Sequence, residues 1–172
     1  SLPEHGSDAG AVLREAASLL FDASTFNAHP RFFGYITAGP APIGILGDLL
    51  ASAVNPNVGS WILAPAATEI EAQTVRWIAE LIGYPSDAGG LLVSGGNVAN
   101  FTCFLAARTA VAPWPVREAG LAAPAARQLV VYASAETHTW ISKATDLFGL
   151  GTDAIRWIAT DAQQRMDVAQ LV

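Results

Sequence analysis

The sequence predicts an α/β domain with parallel strands, and two observations carry the prediction. Short apolar runs, Leu91–Val93, Gln128–Ala133 and Ala154–Ala159, alternate with stretches whose apolar residues recur at helical spacing. A glycine turn, Ser94-Gly95-Gly96-Asn97, joins the first run to a helix. Alternation of this kind implies parallel strands joined by right-handed helical crossovers.

The helical stretches come first. Val12, Leu13, Ala16, Leu19 and Leu20 give an amphipathic helix over 10–21. Residues 29–42, HPRFFGYITAGPAP, are rich in Pro, Gly and aromatics and read as an ordered irregular segment that packs on the core or lines a pocket. A second helix spans 43–54 and ends at Asn55-Pro56-Asn57. Thr68-Glu69-Ile70-Glu71 has the pattern of a capping box, which starts a third helix running to about Ile82, where Gly83 and Pro85 stop it. Ile70, Trp77, Ile78 and Leu81 form its expected core stripe.

Beyond the glycine turn a helix is expected over 98–110, then an Ala/Pro-rich connector over 110–126, the strand 128–133, a helix over 139–148 and the strand 154–159. Asp167 has the look of an N-cap. With Ser1 at one end, Met166 the only methionine and a helix cut at Val172, a fragment is expected.

Composition narrows the function classes. The chain has 172 residues, 52% of them hydrophobic and 14% charged, enough to bury a core of ordinary size. Its net charge of −6 and lack of basic runs argue against a nucleic-acid partner. Two long uncharged runs, 49–68 and 88–107, are broken by Asn, Gly or Pro, so no membrane span is expected. The single cysteine, Cys103, excludes an internal disulfide and a multi-cysteine metal site and fits a reducing compartment, hence the cytoplasm; no metal site is expected.

In the glycine turn, Gly95 and Gly96 permit positive φ and close approach to a ligand, while Asn97 can cap the following helix. Free amides and the helix dipole there favour an anion. The turn lacks the lysine of a P-loop and the full Gly-x-Gly-x-x-Gly of a dinucleotide fold. His138 follows the second strand, at the carboxyl edge where α/β sheets place ligands, so two strand ends would deliver an anion cradle and an imidazole into one crevice. Local capping or packing is the alternative reading of His138. Glu69 and Glu71 read as helix N-terminal charges rather than a catalytic pair. His5 is assigned no role. Lys143, the only lysine, invites a reading as a Schiff-base nucleophile, with a solvated helix charge as the alternative.

Four blocks, HPRFFGY at 29–35, SWILAPAATEIE at 60–71, LLVSGGNVANFTCFLAAR at 91–108 and YASAETHTWISKATDLFGLG at 132–151, resemble the group II pyridoxal-phosphate-dependent amino-acid decarboxylases, which include aromatic-L-amino-acid decarboxylase. The resemblance covers nearly the whole chain in family order. It implies part of the large domain of a type I, aspartate aminotransferase-like fold over 56–172, preceded over 1–55 by an N-terminal helical segment with substrate-pocket and dimer contacts. It also implies decarboxylation of an L-amino acid with pyridoxal 5'-phosphate in a homodimer whose site lies near the subunit interface. Oxidative deamination or transamination on the same fold is the alternative, and a non-catalytic remnant active in protein association is a third reading.

Residue by residue, the resemblance assigns Gly95, Gly96 and Asn97 to the cofactor phosphate, with Asn97 where Ser is common. His138 is assigned to stack on the pyridine ring and lie close to the substrate carboxylate. Tyr35, Ile36, Thr37 and Ala38 fall on a stretch lining the substrate pocket, where the family often has Pro-Thr. It places the Schiff-base lysine and the aspartate that pairs with the pyridinium nitrogen far downstream of Val172. Lys143, five residues past His138 on the next helix, then points to another face as a solvated charge, and these residues alone would be inactive.

Overall fold

The computed structural model describes residues 3–85 and 87–171, so the expectations attached to Ser1 and Val172 lie outside it. The chain divides into two compact units, residues 1–67 and 68–172.

The first unit holds two helices. Helix α1 (Ala9–Ala23) begins where Asp8 Oδ1 accepts the Ala11 N–H at 2.8 Å, satisfying one of the free amides of the first turn. Helix α2 (Pro42–Val54) opens on Pro42, whose missing N–H costs nothing there, and closes on Asn55 in the left-handed region. Between them, 29–41 forms turns and bends, as expected, with the rings of Phe32 and Tyr35 6.4 Å apart. It does not pack on a core: Phe33 and Tyr35 are each 91% exposed.

Helix α3 (Pro65–Leu81) starts three residues before the expected capping box. Proline at the first helical position is pre-set for the helix, so Thr68–Glu71 fall inside it. Glu71 does not act as an N-terminal charge; its Oε1 accepts the Leu92 N–H at 2.7 Å. The helix ends as expected at Gly83, φ 74°, where Tyr84 N–H donates to Ala79 O and Gly83 N–H to Glu80 O in a Schellman arrangement. The expected stripe of Ile70, Trp77, Ile78 and Leu81 is exposed, and Ala79 is the buried residue of α3.

Residues 91–93 do not form the expected strand among the described residues. A strand exists only with a ladder partner, and the amide of Leu92 goes instead to a side chain on α3. Gly90 lets the segment lie that close: a Cβ there would stand 2.7 Å from Val75 Cγ1.

Helix α4 (Gly96–Val111) follows, then a short helix α5 (Val116–Ala119), strand β1 (Val131–Ser134), helix α6 (Trp140–Leu147) and strand β2 (Ile155–Ile158). The connector ahead of β1 is organised by Trp114, buried, with its indole Nε1–H donating to Gly120 O at 2.9 Å. Strands β1 and β2 pair in parallel, Val131 opposite Ile155 and Ser134 opposite Ile158, with α6 as the crossover.

Ile141 of α6, 3% exposed, packs with Ala133 and Ile155, and Phe104, Val131 and Trp140 close around them. Burying an isoleucine stabilises by about 1.5–3 kcal/mol. Ala144 and Thr145 on the same helix are fully buried, and the Thr145 hydroxyl donates to the carbonyl of Ile141 or Ser142. Helix α4 locks onto the end of α6: Phe104 stacks on Phe148 at 5.9 Å, and Arg108 Nη1 donates to Phe148 O at 3.2 Å. A cation at a helix C-terminus meets the negative end of its dipole.

After β2 the chain makes a tight reversal at Asp161. That carboxylate accepts backbone N–H groups of Gln163 and Arg165 and the Arg165 guanidinium. The Arg165 backbone N–H, followed by its guanidinium, holds the carboxyl below its ordinary value of 3.8. Asp167 Oδ1 caps Ala169 N–H as expected, though the turn it opens, Val168–Leu171, is 3-10.

The Gly90 contact is open to test. Gly90→Ala should lower unfolding stability by about 1–3 kcal/mol, and Val75→Ala in the same background should recover part of the loss; urea unfolding measures both.

Candidate active site

The turn at 94–97 is built from its backbone. Gly95 N–H donates to Val93 O at 3.0 Å, and Gly95 then adopts φ 95°, ψ 159°, a region essentially reserved for glycine. Its carbonyl accepts the Ala99 N–H at 3.1 Å, the first bond of α4. Gly95 is therefore the N-cap, not Asn97 as expected; Asn97 sits in the first turn. The amides of Gly96, Asn97 and Val98 have no carbonyl above them within the helix.

His138 arrives by a second turn. Ser134, the last residue of β1, accepts Thr137 N–H on its carbonyl at 2.9 Å and Glu136 N–H on its hydroxyl at 3.2 Å. Ala135 N–H donates to Ile158 O at 2.8 Å, tying this turn to the end of β2. Trp140 N–H donates to His138 Nδ1 at 3.3 Å. In the neutral ring the proton then resides on Nε2, which is left as a donor.

These two turns meet. Ser94, Gly95, Gly96, Asn97, Asn100 and His138 line one cleft of about 480 Å³. Gly95, Gly96, Asn97 and His138 are thus brought together as the sequence expects, although one of the two segments that deliver them is unpaired. Asn100 was missed. Its signal was available in the spacing, since a residue three past Asn97 shares its helix face. No Lys or Arg lines the cleft among the described residues.

Lys143 lies outside the cleft lining and is exposed on α6. Tyr35, Thr37 and Ala38 belong to the first unit, exposed in the segment ahead of α2, with Tyr35 in the left-handed region at φ 59°. Among the described residues no group of three or more His, Cys, Asp or Glu is placed to hold a metal ion, and no helix is long and apolar enough to cross a membrane.

A phosphate-bearing group fits the cleft. A Cβ built on Gly95 or on Gly96 would meet nothing within 4 Å, so the space over both glycines is open. The donors around it are neutral amides, a hydroxyl, carboxamides and an imidazole, suited to phosphate oxygens and to the face of a heteroaromatic ring.

An α/β unit with a cleft between a helix opening and the end of a parallel strand has the layout of a cofactor-binding domain. The chain belongs to the pyridoxal-dependent decarboxylase family: the model of that family's conserved domain matches residues 1–172. An aromatic-L-amino-acid decarboxylase of Bacillus atrophaeus is 33% identical over 171 residues, covering 99% of this chain and 34% of the relative. A phenylacetaldehyde synthase of Arabidopsis thaliana is 29% identical, covering 94% and 33%. Among solved structures, Oryza sativa TDC with PLP and tryptamine superposes with a TM-score of 0.83 at 29% identity, covering 99% of this chain and 38% of that one. The chain spans about a third of the length of the curated relatives it matches. Its fold is accordingly part of the type I large domain, preceded by N-terminal helices.

The two glycines should respond differently to a methyl group. Gly95→Ala should cost about 1–3 kcal/mol because its φ and ψ exclude a side chain. Gly96→Ala, in helical backbone with open space around it, should leave the unfolding free energy within about 0.5 kcal/mol of wild type while weakening pyridoxal 5'-phosphate binding. Thermal melts and cofactor titration separate the two, and equal destabilisation would contradict the assignment.

Proposed function

We propose that the protein is a pyridoxal-phosphate-dependent carboxy-lyase that converts an L-amino acid to its amine and CO2, working as a homodimer in the cytoplasm. The observation that carries the reading is the single cleft formed by the 94–97 turn and His138. The family match over residues 1–172 supports the cofactor.

In this reading the Gly96 and Asn97 amides, at the positive end of α4, hold the phosphate, and Gly95 sets the backbone that presents them. His138 would lie against the cofactor ring, and its Nε2–H, left free because Nδ1 is engaged by Trp140, would donate to the substrate carboxylate. The cofactor, when bound, supplies the electron-withdrawing ring that accepts the electron pair left as CO2 departs. Tyr35, Thr37 and Ala38 serve the substrate side chain. Tyr35 holds a backbone conformation that costs energy, a feature that concentrates at functional sites. Lys143 takes no part.

Residues 1–55 then form the segment for pocket and dimer contacts, and 56–172 belong to the cofactor domain. Support for the dimer comes from α2, where Ile43, Leu46, Leu49, Leu50 and Val54 are all exposed on one helix.

The phenylacetaldehyde synthase relative favours one second reading, an aldehyde-forming reaction on the same cofactor. Incubating the intact protein with L-amino acids and identifying the products decides between them: equimolar amine and CO2 are expected, whereas aldehyde or keto acid would replace the first reading by the second. His138→Ala should reduce kcat/KM by about 100-fold or more through lost positioning, while Lys143→Arg should leave both cofactor binding and turnover at the wild-type level.

A further inference from the structure

Residues 91–93 lead straight into the 94–97 turn, and among the described residues no ladder holds them. Helix α3 holds this segment instead, at two points. Glu71 Oε1 accepts the Leu92 N–H at 2.7 Å. Val75, four residues further along the same helix face, lies so close to Gly90 that a Cβ there would stand 2.7 Å from its Cγ1. Both Glu71 and Val75 are half-buried.

The two contacts constrain the segment differently. The apolar contact at Gly90 limits how near the chain can come to α3, but it is non-directional and leaves the chain able to shift lengthwise. A hydrogen bond weakens steeply away from its proper distance and angle. The bond from Leu92 therefore fixes where the segment sits along α3. Its acceptor is a carboxylate, the stronger kind, and its length is at the short end of the range for such bonds.

What is fixed at Leu92 is passed on within a few residues. Val93 O accepts the Gly95 N–H at 3.0 Å, and the Gly95 carbonyl accepts the Ala99 N–H as the first bond of α4. Phe104 and Arg108 hold α4 from its middle and its far end, so its opening depends on the chain that feeds it. Glu71 itself does not line the cleft. Its influence on the Gly96 and Asn97 amides runs through the backbone of 92–95.

We propose that Glu71 is a positioning residue for the phosphate cradle: by holding the Leu92 amide it sets the place at which the Gly96 and Asn97 amides meet the cofactor phosphate. This rests on the cofactor reading above. It gives Glu71 a role that neither its reading as a helix charge nor the family resemblance assigned.

The test separates reach from charge. Glu71→Gln keeps an oxygen at the same reach without the charge, whereas Glu71→Asp keeps the charge and draws the oxygen back by one methylene. Pyridoxal 5'-phosphate and pyridoxal, which lacks the phosphate, are titrated into the intact protein by absorbance, and the ratio of the two affinities is taken within each variant. A residue that only stabilised the fold would change the unfolding midpoint and leave this ratio alone. The preference for the phosphate form should fall about 10-fold in the Asp variant and stay within about 3-fold of wild type in the Gln variant. An unchanged ratio in both variants, or a fall in the Gln variant as large as that in the Asp variant, would overturn the role of Glu71 while wild type still prefers the phosphate form. Failure of the wild-type protein to bind pyridoxal 5'-phosphate would overturn the cofactor reading and this proposal with it.

Discussion

Ile141 sits three residues past His138, buried against Ala133 of β1 and Ile155 of β2, and this contact sets where the imidazole can be. With the first turn of α6 pinned to the strands, the Ser134–Thr139 turn has little freedom, and its own hydrogen bonds to Ser134 and Ile158 remove more. The same core reaches α4 through Phe104, and the Arg108–Phe148 bond holds α4 along α6. Helix α4 cannot slide without breaking that bond and the Phe104–Phe148 stack. The opening of α4 and the imidazole ahead of α6 are therefore held relative to each other by one small apolar cluster, and the cleft between them follows.

That cleft was legible in the sequence to the extent that it depends on local rules. Two glycines between an apolar run and a helix mark a turn with free amides, and a histidine just after a second run lies past a strand end. Helix limits set by residues with fixed backbone preferences also held: Asn55 and Gly83 stop α2 and α3 in the left-handed region.

Features that depend on a distant partner were not legible. Leu91–Val93 has the composition of a strand, but composition does not supply the neighbouring ladder, and Glu71 takes the amide of Leu92 from 21 residues away. The capping-box pattern at 68–71 was outweighed by Pro65, three residues earlier. At the start of α4 two residues competed for the cap. Asn97 has the better side chain, but Gly95 has the only backbone that can make the bend, and the bend decided it. Asn100 escaped notice although its spacing three residues past Asn97 puts it on the same helix face; its meaning comes from the cleft it lines. The expected core stripe of α3 is exposed, because periodicity marks an apolar face without naming what packs on it.

The central claim is that one cleft, between the opening of α4 and His138, seats the phosphate and ring of the cofactor. A crystal structure of the intact protein grown with pyridoxal 5'-phosphate tests it most directly. The account predicts phosphate oxygens within hydrogen-bonding distance of the Gly96 and Asn97 amides and the pyridine ring against the face of His138. A cofactor bound elsewhere, with this cleft filled by water alone, would contradict it.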